Sequence, residues 1–548
     1  MFNKRLIALP ALLLGLTLVS CHKEPADSSS SESASVGESS TSSSTSTTPS
    51  TDTGGDDNPG GDSSDFTPGL APLPFDEPTF KDPVGSRTPA GKVAASYGNP
   101  SLVQKGQENL LVVPVQFLND AQQYSDTQIE SLKSFFFGSR NSVSAYYSKV
   151  SNGALNLGGV VGPEGALTLP YTLDTYLAQV STLGPSGVIS EITDYVVTSI
   201  FQSYMTKALD WRDFDADGDG VIDGISLVYI HSPADENTTD AAEASLLTAG
   251  LVSSPLEGRD NIQVGSVSWS PYDYTSRQSF TDGIYESLVG SMLGIPSLTD
   301  SVGDSTTGYY RSPMGFTDIM DTYYLTDQSS FAKYLMGWID PTVYTASDID
   351  AEGLKVTLRP SESTGDAIIL SPTGSESPFG EYLIVDFYTP TGYNANTIGI
   401  NTMTTPGVRV LKVDSRLARQ QSAHWYLTGE EDPDFSDGAV YDYAFTNNAI
   451  NNHYSDGITE NFPLCEILDD SAFNRHVTGD TPILTSDALF QQGEGFGDGN
   501  VPLSNRLFYG DFAFDGDGNP LTAPTLGITF TVDSVTSDSA TITLRRSK

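Results

Sequence analysis

Residues 283–300 read Gly283-Ile-Tyr-Glu-Ser287-Leu288-Val-Gly-Ser291-Met-Leu-Gly294-Ile-Pro-Ser297-Leu-Thr-Asp300, and Asp318-Ile-Met320-Asp321 follows. Residues four apart on a helix share a face, so Ser287 and Ser291 stand one above the other. A helix that holds catalytic zinc uses such a pair as histidines, with a glutamate directly after the first as general base. Here the pair is serine and the base position is Leu288. Serine hydroxyls are poor zinc ligands beside imidazole, thiolate or carboxylate, and a leucine side chain cannot take a proton from water. A one-residue slip does not restore the pattern: with Glu286 as base, Tyr285 and Val289 would occupy the ligand positions.

The chain has five histidines (His22, His231, His424, His453 and His476), and no two have the spacing of a helical pair. Zinc would therefore need ligands that converge from remote parts of the chain. His231 is the nearest candidate, because it follows an Asp-rich strand; its plainer role is to close that strand at the surface. Ser287 and Ser291 could in principle act as nucleophiles. With no histidine or lysine close by in sequence, they read as small packing residues.

Upstream, Asn109 to Phe117 is a short apolar run and predicts a buried strand, with Pro114 arguing for an edge or a bulge. Ser125 and Gln128 fit a capping box that starts a helix through Ile129, Leu132 and Phe135 to Phe137. Then come Ser142-Val143-Ser-Ala-Tyr146-Tyr147, with Ser151, Gly153 and Leu155, and a helical stretch over Val188 to Met205. Asp213, Asp215, Asp217, Asp219 and Asp223, with Gly220 for a sharp turn, have the alternate spacing of a calcium loop. Asp215, Asp217, Asp219 and Asp223 would give side-chain oxygens and Val221 its carbonyl, while Asp213 is a spare carboxylate. Position twelve is Ser226 rather than glutamate, so this is not a complete EF-hand, and a solvated acidic turn is the alternative. Asp515, Asp517 and Asn519 form a weaker calcium candidate, since Asp-Gly-Asp-Gly-Asn also makes a tight turn.

Downstream, Ala332-Lys-Tyr-Leu-Met-Gly337-Trp338-Ile339 predicts a closing helix. After it the pattern changes to short alternating strands over 354–358, 381–387, 408–413, 527–532 and 539–544, at sandwich-like intervals.

Taken in order, these segments resemble the immune inhibitor A family of metallopeptidases, over roughly Leu70 to Leu544. That family's zinc helix carries H-E-x-x-H-x-x-G-x-x-D. Gly294 and the Leu293-Gly294-Ile295-Pro296 frame match it, while Ser287, Leu288, Ser291 and Ser297 stand at the two histidines, the glutamate and the aspartate. The Ser142 to Leu155 segment, the Met-turn-like Asp318 to Asp321, the Gly337-Trp338 helix end, Tyr382 to Val385, Pro406 to Val408, Val413-Asp414 and Asp487 to Gly493 echo it as well. Lys412 stands where relatives often have a histidine. The resemblance implies an α+β chain: a degenerate zincin-like metalloprotease domain over 70–345, then a β-rich, sandwich-like region over 346–548.

Residues 1–20 read as a lipoprotein signal: Lys4 and Arg5, an apolar run from Leu6 to Leu18, then Leu18-Val-Ser-Cys21. Lipidation of Cys21 would leave Cys465 without a disulfide partner. Residues 21–69 are a Ser/Thr-rich tether with a reach of roughly 35–40 Å. The 27 basic and 70 acidic residues give a formal charge of -43, which repels nucleic acid and suits calcium.

The expected protein is thus a bacterial surface lipoprotein, held to the membrane by Cys21, with calcium as a structural cofactor and no zinc. It would be a pseudoprotease that binds an extracellular protein, peptide or glycan. Two alternatives remain: an active metalloendopeptidase with non-standard zinc ligands, and a calcium-stiffened structural or adhesive ectodomain.

Overall fold

A computed structural model describes residues 85–547, apart from 90, 92, 94–99, 163–164, 202–208, 232–241, 243–245, 248, 253–255, 258–261, 277–282, 300–312, 322–323, 396–402, 422–423, 428–442, 445–463, 469–484 and 497–525. The signal segment, Cys21, the tether, Met205 and the second calcium candidate at Asp515, Asp517 and Asn519 lie outside the described residues. Helices and both mixed and antiparallel sheets make an α+β chain.

The first sheet contains β1 (Gly85–Ser86), β2 (Lys105–Gln116), β3 (Leu155–Val161), β4 (Leu167–Thr168), β5 (Val221–Tyr229), β6 (Gly250–Val252), β7 (Leu256–Glu257) and β8 (Gln263–Pro271). Strand β2 runs parallel to β3, β4 and β5, and β5 parallel to β8. Parallel strands must be covered on both faces, and the alternation along β2 shows how. Leu110 and Val112 face a core shared with α1 (Asp126–Phe137), α2 (Val143–Val150) and α4 (Ile284–Met292). Leu111, Val113 and Val115 face a second core filled by α3 (Leu173–Phe201).

Local sequence explains the helix starts. The Ser125 hydroxyl accepts from the Gln128 N–H at 3.3 Å, and the Gln128 side chain accepts from the Ser125 N–H at 3.0 Å, so the expected capping box is complete. Helix α2 is capped by Ser142 and buries Tyr146 and Tyr147 as packing residues. Helix α3 kinks at Gly184 (φ 72°) ahead of Pro185.

Pro114 lies in a central strand, not at an edge or a bulge. The Val112 and Gln116 carbonyls accept from Gly162 and Leu169, so the backbone at 114 faces the same side. There β3 has ended and β4 has not begun, and the absent N–H of proline leaves no strand bond unmade.

After α5 (Ser330–Leu335), two sheets follow. The five-stranded one has β9 (Thr342–Tyr344), β11 (Ala367–Leu370), β12 (Glu381–Tyr388), β13 (Gly407–Asp414) and β17 (Cys465–Leu468). The four-stranded one has β10 (Leu354–Leu358), β18 (Gly495–Phe496), β19 (Ile528–Val535) and β20 (Ala540–Arg546). A one-turn helix, α6 (Ser361–Thr364), follows β10, and β14 (Ala418–Gln421), β15 (His424–Leu427) and β16 (Tyr443–Ala444) form a separate ribbon.

The five-stranded sheet is buried on both faces. Ile368, Leu383, Val385, Val408 and Val410 meet Leu358, Phe530, Ile542 and Leu544 of the four-stranded sheet. Ile369, Tyr382, Ile384, Leu411, Val413 and Ile467 instead join the core of α1, α2 and α4, together with Phe331, Leu335 and Trp338. Packing therefore continues across residue 345. Among the described residues no helix is long and apolar enough to cross a membrane.

Candidate functional site

Helix α4 begins after Gly283, and Ile284 to Gly290 and Met292 are all buried. Leu293 ends it and Gly294 turns the chain at φ 88°. The loop of Met320 lies directly against this helix. A methyl group added at Gly290 would stand 2.7 Å from the Met320 sulfur and 3.0 Å from the Tyr147 hydroxyl oxygen. The Ser287 hydroxyl meets the same sulfur at 4.0 Å. Ser297 donates to the Met320 carbonyl at 3.4 Å, and Leu298 N–H donates to it at 2.9 Å. Ser291 turns back onto the helix and donates to the Ser287 carbonyl at 3.2 Å. Leu288 is core. Ser287 and Ser297 therefore converge on one methionine, with Ser291 one turn along from Ser287.

The Met320 loop is rigidly seated. Asp318 accepts from the Met320 N–H at 2.7 Å and from the Ser329 N–H at 2.8 Å. Burial raises the pKa of Asp318 despite those bonds. Arg409 on β13 forks onto Asp386 at 3.0 and 2.7 Å and donates to Thr317 at 3.0 Å, which fastens the loop to the C-terminal sheet. Lys412 does not face this place. It shares the side of β13 with Val408 and Val410 and stands 3.8 Å from Glu466. Cys465 is buried, and burial lifts its thiol well above the ordinary range, so the sulfur stays protonated.

The Asp-rich loop lies between a short helical turn (Trp211–Phe214) and β5. Asp215, Asp217 and Asp223 each bring one carboxylate oxygen within 4.8 Å of the others. Among the described residues this is the one group of three or more His, Cys, Asp or Glu side chains so placed. Asp219 is not in it; its Oδ1 accepts from the Val221 N–H at 2.9 Å. Asp215 accepts from Asp219 N–H and Gly220 N–H, each at 3.0 Å, and Asp223 accepts from Ala216 N–H at 2.7 Å. A hard cation prefers clustered carboxylate oxygens, and the donor set fits calcium better than zinc, which favours imidazole and thiolate.

Sequence reasoning did not find two members of this centre. Arg87, 130 residues from Asp217 in the chain, donates from Nε to Asp217, and its Nη2 reaches Asp223 at 3.3 Å. Burial alone would lower the Arg87 pKa, but Asp217 and Asp223 outweigh it and raise it. Glu108 on β2 is wholly buried and accepts from Val103 N–H and Asn109 N–H, each at 2.8 Å. Burial pushes its carboxyl up to about 8, and burial with Glu108 nearby holds Asp223 well above the usual carboxylate range. Glu108 gave little signal, because it stands in the polar start of β2 between Gln107 and Asn109, ahead of the apolar run from Leu110. Arg87 gave none, because tertiary folding alone brings it here.

His231 lies two residues beyond the end of β5, with Nδ1 2.9 Å from an Asp120 oxygen but without hydrogen-bond alignment, and its ring meets Phe117 edge-on. No protein-family model matches the chain, and no curated protein matches it.

Proposed function

We propose that this protein is a lipid-anchored surface ectodomain with the architecture of an immune inhibitor A-like metallopeptidase, which has lost zinc chemistry and acts by binding. In this reading 70–345 is a zincin-like domain and the two sheets after it, which share one core, form a sandwich-like region. The carrying observation is at α4. Ser287 and Ser297, with Ser291 a turn away, gather around Met320 with no imidazole among the described residues there, and the base position is a core leucine. In this reading the scaffold that would seat a metal persists, while the aligned positions Ser287, Leu288, Ser291 and Ser297 carry neither imidazole nor carboxylate. A serine cluster buried at Ser287 and half-buried at Ser291 and Ser297 supports an inert centre, and the proposed partner is an extracellular protein, peptide or glycan.

Purified mature protein is expected to contain no stoichiometric zinc by elemental analysis and to leave casein and gelatin intact. One equivalent of zinc with chelator-sensitive proteolysis would favour an active peptidase with unusual ligands and end this reading. His231→Ala is expected to leave metal content unchanged.

The acid loop supports a second, compatible role. Asp215, Asp217 and Asp223 would hold calcium, which supplies positive charge to a carboxylate cluster and stiffens the start of β5.

A further inference from the structure

We propose that Arg87 is the cation the Asp-rich loop holds when no metal is bound, and that a divalent ion enters by displacing it. This rests on reading the loop as a calcium site. Arg87 and the ion would draw on the same carboxylates: the guanidinium takes Asp217 Oδ2 and approaches Asp223 Oδ1 at 3.3 Å. Both aspartates belong to the three-carboxylate cluster. A dication coordinated there would sit against a guanidinium of like charge, so the two occupants exclude one another. One guanidinium faces three carboxylates, which leaves the cluster acidic enough to attract an ion while setting a cost on its entry.

The exchange has a structural consequence. The other Arg87 N–H groups donate to the Pro100 carbonyl at 2.9 Å and to the Ser101 carbonyl. That turn is pinned to the end of α4, since Ser101 and Leu102 N–H groups donate to the Met292 carbonyl at 2.9 and 3.0 Å. Next to Arg87, β1 is held to the loop by the Gly85 N–H on the Ala216 carbonyl at 3.3 Å. Displacing Arg87 therefore loosens β1, and removes a brace from the segment that packs on α4.

The test is calcium titration of the chelated mature protein by calorimetry, for the natural chain, Arg87→Gln and Arg87→Lys. If the guanidinium must leave first, its removal raises the binding-competent fraction, and Arg87→Gln should bind calcium about tenfold tighter or more. Arg87→Lys, which keeps the charge but not the fork, should fall between. Ion-free Arg87→Gln should melt below the natural protein, and calcium should restore it. Equal affinities in all three proteins would overturn the exchange and leave the calcium reading standing. No binding by any of them, with folded proteins, would end both. Should Arg87→Gln not fold without calcium, hydrogen exchange on the natural protein decides. Saturating calcium should speed exchange at Ser86 to Thr88, and unchanged protection there would overturn the proposal.

Discussion

Gly294 shows how much one residue can carry. Its φ of 88° lies in the region that side chains with a Cβ avoid, and an added Cβ would stand 2.7 Å from the Pro100 Cβ. Gly294→Ala is therefore expected to lower unfolding stability by about 1–3 kcal/mol, from backbone strain together with a displaced Pro100 turn. Urea unfolding measures it, and an unchanged midpoint at unchanged slope would remove the structural role assigned to this glycine. At this scale the sequence was informative where chemistry is local. The serines and Leu288 can be read from spacing alone, and the structure then gathers Ser287 and Ser297 at Met320. It was uninformative where the partner is remote: nothing near Arg87 in the chain announces Asp217, and nothing around Asp219 announces that its oxygen turns to Val221 rather than to its neighbours.

At the scale of elements, α5 and the turn before it hold a buried ion pair that should leave a mark on pH dependence. Lys333 on α5 donates to Asp327 at 2.7 Å, and both are almost fully buried. Burial pushes the Asp327 carboxyl up to about 6 even against the neighbouring ammonium, from an ordinary value of 3.8. Below about pH 4 this acid is protonated in folded and unfolded chains alike and its contribution is fully present. As pH rises through 6 the unfolded chain has already released the proton, so stability falls, by about 3 kcal/mol in all. Asp327→Asn cannot titrate. The stability of the natural protein minus that of the variant should therefore fall by about that amount between pH 4 and 7. A constant difference across that range would show that the carboxyl is not raised. Elements of this size were mostly legible, because period and caps are local signals. The strand over 354–358 follows the alternation and the Ser125 box the cap chemistry, while 381–388 and 407–414 form where strands were expected but are buried on both faces. Pro114 misled because a proline's tolerance in a sheet depends on what the neighbouring strands do, which one strand's sequence does not record.

Across the whole molecule, sequence composition suggests two successive regions, while the packing joins them. The sheet beyond residue 345 turns one face to its own partner sheet and the other to the core of α1, α2 and α4. Strand β9, at Thr342–Tyr344, already pairs with β11. Arg409 and Asp386 on that sheet reach Thr317 and Ser330 on the other side of the junction, at 3.0 and 2.5 Å. Separating the halves would expose Ile369, Ile384 and Leu411 on one side and Phe331 and Trp338 on the other. It would also strip the Arg409–Asp386 pair of its Thr317 and Ser330 hydroxyl partners, and losing hydrogen bonds to charged groups is destabilising. The described core is therefore expected to unfold as one unit. In a urea titration, tryptophan fluorescence, dominated by Trp211, Trp269 and Trp338 in the N-terminal half and Trp425 beyond it, should trace the same curve as far-ultraviolet circular dichroism. A fragment ending at residue 345 should show no cooperative transition of its own. Two separated transitions, or an independently folded fragment, would mean that the shared core contributes little and that the halves are joined only by the chain.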